Sequence, residues 1–205
     1  MKLYEMAKAP NPRRVRMFLA EKGLLDKVDC IEMDLSKGEN LTPEFERKNP
    51  MKKVPVLELE NGTCIGETMA ICRYFEAAFP ESEELLGSTA EEQAIIEQWT
   101  RWIDFYLFNP IGMCFQHTTD YFKHRMAPIK EWGEANREAT LSFFDFLDKH
   151  LANHQFVALE RFTIADINAF CTVDFAKVIQ LRVDDRWPHL KAWYERMKER
   201  DSSRV

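Results

Sequence analysis

The stretch from Asn49 to Thr68 constrains the fold of this chain more than any other. Its first half, Val56–Glu60, has the composition of a β-strand and is followed by Asn61-Gly62, the dipeptide that two-residue type I′ turns favour. We therefore predict an antiparallel hairpin whose second strand is Thr63–Ile65.

The residues that flank the hairpin predict a binding site for a short peptide. Pro55 stands at the mouth of the first strand and has no N–H, so the backbone groups of Val54 should face outward, where an extended peptide can pair with them. Gly66 allows a turn, and Thr68 is a good N-cap for a helix that Pro80 stops. The free amides of such a helix start suit an anion.

The same region also carries charges that a zwitterionic peptide would need. Lys52 and Lys53 precede Val54, and Glu67 precedes Thr68. Taken singly, each residue also fits an interpretation without any binding function, in which Glu67 is an ordinary turn carboxylate and the lysines are solvated. Their joint spacing around Val54 and Pro55 favours a ligand with two carboxylates and one ammonium group.

The segments before the hairpin complete a mixed α/β domain. Strands are predicted at Lys2–Met6 and Val28–Asp34. Between them, Asn11 is predicted as an N-cap with Pro12 at the first helical position, and a later short helix should follow Thr42. The resulting order, strand-helix-strand-helix-strand-strand-helix, is the thioredoxin-like one and occupies residues 1–80.

The remainder of the chain is predicted to be all-helical. Residues 81–90 are acidic and rich in small side chains and are interpreted as a linker, and residues 91–205 show helical periodicity throughout. Asn109-Pro110 should interrupt the first long helix. Thr163 and Asp166 form a capping-box pattern at the start of a central helix.

Composition narrows the functional classes and the compartment. The formal net charge of −6 argues against nucleic acid as a partner. Five cysteines without a Cys-x-x-Cys pair favour a reducing compartment, so we expect a soluble, cytoplasmic protein without disulfides. We also expect no metal and no membrane span, since no apolar run is long enough.

The motif Lys-Val-Pro-Val-Leu, followed by a hairpin and Glu-Thr, resembles the glutathione-binding motif of the cytosolic glutathione transferases. The resemblance implies an α/β thioredoxin-like N-terminal domain plus an all-α C-terminal domain, and a cis peptide before Pro55. It also implies which residues bind glutathione: Val54 by its backbone to the cysteinyl part, Glu67 and Thr68 to the γ-glutamyl end, and Lys52, Lys53 or Asn40 to the glycyl carboxylate.

Most classes of this family stabilise the glutathione thiolate with a Tyr, Ser or Cys at the start of the first helix. Here Ala9 takes that place, so the usual hydroxyl is missing. Two other groups could stabilise the thiolate. One is the positive end of the helix dipole, and the other is the side-chain amide of Asn11, which resembles the Asn that a bacterial branch of the family uses. Asn11 is therefore the candidate catalytic residue, although it also suits a capping role.

Further similarity is to a fungal-type branch that polarises a water molecule with a Ser and a His. Those positions fall on Gly112 and Gln116 here, which puts a water relay in doubt, and the adjacent His117 is more simply a structural histidine. By the same resemblance the electrophile should lie between the domains, near Gly112, Gln116 and three aromatic residues, Phe105, Phe108 and Phe115.

The resemblance as a whole predicts a homodimeric glutathione transferase that joins the glutathione thiolate to hydrophobic electrophiles. Two alternatives stay open. One is a glutathione-dependent disulfide reductase, and the other is a non-catalytic relative that binds a ligand or a protein partner. The missing hydroxyl at Ala9 supports the second, whereas the intact Lys-Lys-Val-Pro and Glu-Thr sets speak against it.

Overall fold

The computed structural model describes residues 1–123 and 125–205. It divides the chain into two compact units. The first comprises Met1–Leu86 together with Asp201–Val205, and the second comprises Gly87–Arg200. The last five residues, which the sequence analysis assigned to the helical domain, therefore belong to the first unit.

The first unit is a four-stranded mixed sheet with three helices. The strands are β1 (Lys2–Glu5), β2 (Asp29–Glu32), β3 (Val56–Glu58) and β4 (Cys64–Gly66), and the helices are α1 (Pro10–Glu21), α2 (Pro43–Lys48) and α3 (Thr68–Ala78). The strand order is β2-β1-β3-β4, with β1 and β2 parallel and the other pairs antiparallel. This arrangement confirms the predicted thioredoxin-like domain.

The core of this unit forms because α1 and α3 both bury apolar side chains. Leu3 and Leu57 on the sheet, Phe18 on α1 and Phe75 on α3 are all inaccessible to solvent. A smaller cluster of Met33, Phe45 and Val56 lies around α2. Burial of such residues stabilises the domain by roughly 1.5–3 kcal/mol per large side chain.

The hairpin is present, but its turn differs from the prediction. Gly62 has φ +84°, whereas Asn61 does not have positive φ, so the turn is not type I′. The amide of Gly62 donates to Leu59 O (3.0 Å), and Asn61 Oδ1 accepts from the amide of Thr63 (3.0 Å). The side chain of Asn61 thus supplies a local acceptor that holds a longer loop, with glycine alone in the left-handed region.

The end of the first unit is held in place by a buried lysine. Lys22 Nζ donates to Glu76 Oε2 (2.6 Å) and to the carbonyl of Glu83. Glu76 Oε1 accepts in turn from the amides of Leu85 and Leu86 (both 2.9 Å). Because Leu85 and Leu86 are also buried, the middle of the predicted linker segment is packed rather than solvated.

The second unit contains five helices within the described residues: α4 (Ala90–Ile103), α5 (Asn109–Thr118), α6 (Lys130–Leu151), α7 (Ile164–Phe175) and α8 (Pro188–Glu199). A five-residue π-helical turn, Asp104–Phe108, joins α4 to α5. The predicted irregularity near Pro110 takes this form because the wider turn accommodates a proline that lacks an N–H. No helix among the described residues is long and apolar enough to cross a membrane.

Helix α7 is the buried centre of this unit, and its capping box is as predicted. Thr163 Oγ1 accepts from the amide of Ala165 (3.3 Å), and Asp166 Oδ2 accepts from the amide of Thr163 (3.1 Å). Asp166 Oδ1 also accepts from the amide of Val157 (3.0 Å) and from Trp193 Nε1 (3.1 Å). Complete burial nevertheless raises the pKa of Asp166 to about 6.

Candidate active site

The peptide bond between Val54 and Pro55 is cis, as the resemblance implied. The side chain of Val54 packs against the cluster of Met33, Phe45 and Val56. Its backbone is different: among the described residues, neither the N–H nor the carbonyl of Val54 has a hydrogen-bond partner. The backbone of Val54 is therefore available to pair with a peptide beside the start of β3.

Two buried asparagines hold the loop that carries this open backbone. Asn40 Nδ2 donates to Lys52 O (2.7 Å), and Asn49 Nδ2 donates to Lys53 O (2.8 Å). Asn49 Oδ1 also accepts from the amide of Met51 (3.0 Å). Asn49 was not among the predicted site residues. Its position between a short helix and a proline indicated a turn, but nothing in the sequence showed which carbonyl it would bind.

The two candidate lysines differ in their surroundings. Lys52 has φ +54° and its Nζ lies 3.1 Å from Glu46 Oε2, in a half-exposed ion pair. Lys53 is exposed and has no ion-pair partner among the described residues. Of the two, Lys53 therefore has its charge available for an anion, whereas Lys52 would have to exchange Glu46 for one.

Glu67 and Thr68 lie at the start of α3, but not in the predicted capping arrangement. The helix begins at Thr68, and Glu67 is the N-cap residue, with φ +68° and no capping hydrogen bond from its side chain. Glu67 is exposed, whereas Thr68 is buried and its Oγ1 donates to Asn11 O (3.4 Å). The prediction of Thr68 as N-cap was wrong because its hydroxyl bonds to α1 instead.

The start of α1 also differs from the prediction. The helix begins at Pro10, and Ala9 is the N-cap residue in extended conformation (φ −80°, ψ 142°). Asn11 therefore lies inside the first turn and does not cap it. The reason is that Pro10 favours the first helical position as well as Pro12 does and also drives Ala9 out of the helical region.

This start leaves a single backbone donor in the first three positions of α1. Pro10 and Pro12 have no N–H, and the amide of Arg13 is already bonded to Ala9 O (3.3 Å). The N–H of Asn11 has no acceptor within the helix. An anion at this helix end would therefore be bound through Asn11.

The side chain of Asn11 is oriented by a neighbour on the same helix. Arg14 Nη1 donates to Asn11 Oδ1 (3.1 Å), so the carbonyl oxygen of the amide faces the guanidinium. No acceptor among the described residues contacts Asn11 Nδ2. Arg14, which the sequence analysis did not single out, is 4% exposed.

Tyr4 carries an aromatic hydroxyl in β1, but that hydroxyl is engaged in other contacts and does not replace the one missing at Ala9. Tyr4 Oη donates to Glu58 Oε2 (2.7 Å), and Lys48 Nζ lies 2.6 Å from the same oxygen. Burial and this carboxylate raise the pKa of Tyr4 above its ordinary value. Its hydroxyl is therefore a poor source of a proton or of a thiolate hydrogen bond.

The residues predicted to contact the electrophile all lie in the second unit. Phe108 and Phe115 pack against Phe175, with ring centroids 5.6 and 6.3 Å apart. Gly112 and Gln116 lie one turn apart on α5, and a Cβ at Gly112 would be 4.0 Å from Gln116 Nε2. Phe105 is 59% exposed and has no ring contact with this cluster among the described residues.

His117 has a structural partner. Its Nδ1 accepts from the amide of Ile129 (2.9 Å), which fixes the segment that leads into α6. Within residues 1–123 and 125–205, no three His, Cys, Asp or Glu side chains lie together as a metal site requires.

Comparison with known proteins identifies the family. Residues 9–78 match the family model for the glutathione S-transferase N-terminal domain, and residues 104–201 match that for the C-terminal domain. The chain belongs to the glutathione S-transferase family. This membership accounts for the cis-proline motif and for the helical second unit alike.

Similar proteins support the same assignment along nearly the whole chain. The chain is 35% identical over 204 residues to glutathione S-transferase 2 of Saccharomyces cerevisiae. The matched region covers 98% of this chain and 87% of that protein. The crystal structure of Gtt2 from the same yeast superposes with a TM-score of 0.94, at 35% identity over 100% of this chain and 99% of that one.

A bacterial structure is equally similar. A glutathione S-transferase domain-containing protein of Marinobacter aquaeolei VT8 gives a TM-score of 0.93 at 37% identity, covering 98% of this chain and 99% of that one. These neighbours confirm the resemblance to the fungal-type branch.

Proposed function

We propose that this transferase conjugates the thiolate of glutathione to hydrophobic electrophiles. The observation that carries the proposal is the unpaired backbone of Val54 beside cis-Pro55. Two backbone hydrogen bonds to the cysteinyl residue of glutathione would extend the sheet by one short strand. Because neither group has a partner among the described residues to give up, binding breaks no existing hydrogen bond.

The charged ends of glutathione find complementary groups on either side of Val54. The γ-glutamyl ammonium pairs with Glu67, and its carboxylate takes the amides at the start of α3. The same carboxylate also takes the Thr68 hydroxyl, which exchanges Asn11 O for it. The glycyl carboxylate pairs with Lys53, whose charge is unengaged, and with Lys52 as a second contact. Asn40 acts on this end by holding the loop through Lys52 O.

Asn11 supplies the thiolate stabilisation that a hydroxyl provides in other classes. Its backbone N–H and its side-chain Nδ2 are both available to a sulfur at the start of α1. The helix end favours an anion by about 0.3–2 kcal/mol, which lowers a thiol pKa by roughly 0.2–1.5 units from about 8.5. A hydrogen bond from the amide adds to that shift.

We place the electrophile against the aromatic residues Phe108 and Phe115, with Phe105, Gly112 and Gln116 as further contacts. Phe108 and Phe115 already form one apolar surface with Phe175. An apolar surface with a few polar groups is typical of sites for hydrophobic small molecules.

Turnover of glutathione with a chromogenic aryl halide tests the reaction, and a Glu67→Gln variant tests the docking. Removing the charge that pairs with the γ-glutamyl ammonium should weaken glutathione binding by at least about tenfold, measured by calorimetry. Glu60→Gln, an exposed change in the hairpin turn, is the matched control and should bind normally. Unchanged affinity in Glu67→Gln would contradict the docking.

A glutathione-dependent disulfide reductase is the second candidate, and the use of Asn11 in place of a hydroxyl favours it. Both reactions need the same bound thiolate, so the comparison of rates decides between them. Faster turnover of a small mixed disulfide than of any aryl halide would establish the reductase. Retention on immobilised glutathione without either activity would instead indicate a binding protein.

We further propose a cytoplasmic homodimer with a role in detoxification. All five cysteines are free thiols, which suits a reducing compartment. Tyr106 and Phe146 of the second unit are 60% and 43% exposed, and a second copy would cover these aromatic side chains. Light scattering after gel filtration should give twice the mass of 24.2 kDa.

A further inference from the structure

Arg14 is a buried cation in the second turn of α1, on the same face as Asn11. Its Nη1 donates to Asn11 Oδ1 (3.1 Å), and the residue is 4% exposed. Residues three apart in a helix are neighbours, so this contact needs no change in backbone. No sequence motif assigned a role to Arg14, and the assignment of Asn11 does not by itself require one.

The chemistry of the guanidinium determines which way the amide of Asn11 faces. A carboxamide has an acceptor on one side and two donors on the other, and the two arrangements have nearly the same shape. A guanidinium is only a donor, so it accepts no bond from Nδ2 and selects the arrangement with Oδ1 toward itself. The two N–H groups of Asn11 then face away from Arg14.

We propose that Arg14 is a positioning residue that fixes the carboxamide of Asn11 with its N–H donors toward the sulfur of bound glutathione. The inference rests on the proposed function, since it needs Asn11 to contact the sulfur. Without Arg14 the amide can turn its oxygen toward the thiolate, which would repel it. The arginine acts through Asn11 and does not itself touch the ligand.

The other charged side chains of this part of α1 have partners elsewhere. Arg13 Nη2 donates to Ser203 O (2.8 Å). Arg16 forms a buried ion pair with Glu5 and donates to Ala7 O (2.8 Å). These contacts join α1 to other elements and are not made to the side chain of Asn11. The charge of Arg14 also adds to the positive potential at the helix start, so a direct electrostatic effect has to be separated from positioning.

The test compares Arg14→Met, Arg14→Lys and Asn11→Ala, singly and combined, in the full-length protein. The readouts are the pKa of the glutathione thiol in the complex, from thiolate absorbance, and kcat and KM with an aryl halide. In Arg14→Met we expect kcat/KM near neutral pH to fall about five- to tenfold through kcat, with KM for glutathione within about twofold and a raised thiol pKa. Arg14→Lys should recover part of the loss.

The combined variant distinguishes positioning from direct action. If Arg14 works through Asn11, Arg14→Met should change kcat by less than about twofold in the Asn11→Ala background. An equal loss in both backgrounds, or no loss in Arg14→Met alone, would overturn the inference. Should Arg14→Met fail to fold, Arg14→Lys in both backgrounds gives the same comparison. A normal thiol pKa in Asn11→Ala would instead refute the role of Asn11 in the proposed function.

Discussion

Glu67 has a backbone conformation that few residues with a side chain adopt. Its φ of +68° and ψ of 126° lie outside the regions that are comfortable for L-amino acids, and its side chain makes no capping bond. Such strain costs on the order of 1–3 kcal/mol and is found preferentially where function requires it. Glu67 is exposed and precedes Thr68, whose hydroxyl contacts the first turn of α1.

A glycine at position 67 should separate stability from function. Glycine adopts positive φ without a steric cost, so we expect Glu67→Gly to raise the free energy of unfolding by about 1 kcal/mol while glutathione binding is lost. Urea denaturation and calorimetry on the same sample measure both quantities. A variant that is less stable than the parent would contradict the strain interpretation.

Sequence reasoning at the scale of residues succeeded where the chemistry of one residue is decisive. Pro55 could be placed just before the first strand of the hairpin, next to the unpaired backbone of Val54, because a proline has no N–H. Asn11 was misplaced because Pro10 and Pro12 suit the first helical position equally well. The hydrogen bonds from Asn49 and Arg14 are local in sequence, but they could not be predicted because each depends on the rotamer that a flexible side chain adopts.

At the scale of elements, the backbone conformation at the start of the second unit depends on Gly87. Its φ is +92°, and a Cβ there would lie 2.8 Å from the backbone N of Gln93. We expect Gly87→Ala to lower the free energy of unfolding by about 2 kcal/mol more than Gly23→Ala does. Gly23 is the matched control, with φ +67° and no atom within 4 Å of its Cβ position. Equal losses in urea denaturation would contradict the steric argument.

The capping box of α7 predicts a pH dependence of stability. The pKa of Asp166 rises on folding from 3.8 to about 6 because the carboxyl is buried. Between these two pKa values the folded protein binds more protons than the unfolded chain. The contribution of Asp166 protonation to stability is therefore complete below pH 4 and is lost as the pH rises through 6.

The corresponding experiment compares the parent with Asp166→Asn, which cannot titrate. From pH 4 to pH 7, the free energy of unfolding of the parent should fall relative to that of Asp166→Asn by up to about 3 kcal/mol. Burial lowers the pKa of His150 and so opposes this trend, but His150 is present in both proteins and cancels in the difference. A constant difference across this range would show that Asp166 ionises normally in the folded state.

The type and order of the helices and strands could be predicted from the sequence better than their exact ends and turn conformations. The capping pattern of Thr163 and Asp166 is local in sequence, so it predicted the start of α7 correctly. The turn after β3 and the π-helical turn before α5 depend on side-chain acceptors and on packing, which the dipeptides Asn61-Gly62 and Asn109-Pro110 do not encode alone. Element boundaries were accordingly off by one to three residues at several ends.

At the scale of the whole molecule, the residues that we propose to bind glutathione all lie in the first unit. The first unit joins Thr68 to Asn11 by a hydrogen bond, and the pairing of Val56 with Gly66 brings the chain around Val54 near the start of α3. It also includes the last five residues, where Ser203 O accepts from Arg13 and Ser202 bonds to Glu21 on α1. The end of the chain thus supports the helix whose first turn carries Asn11, which no local sequence pattern indicated.

A crystal structure of the protein with glutathione tests the central claim most directly. The account predicts that the cysteinyl N–H and carbonyl of glutathione lie about 2.7–3.2 Å from the carbonyl and N–H of Val54, with the sulfur within hydrogen-bond reach of Asn11. Glutathione bound elsewhere, or a Val54 backbone that stays unpaired in the complex, would contradict it.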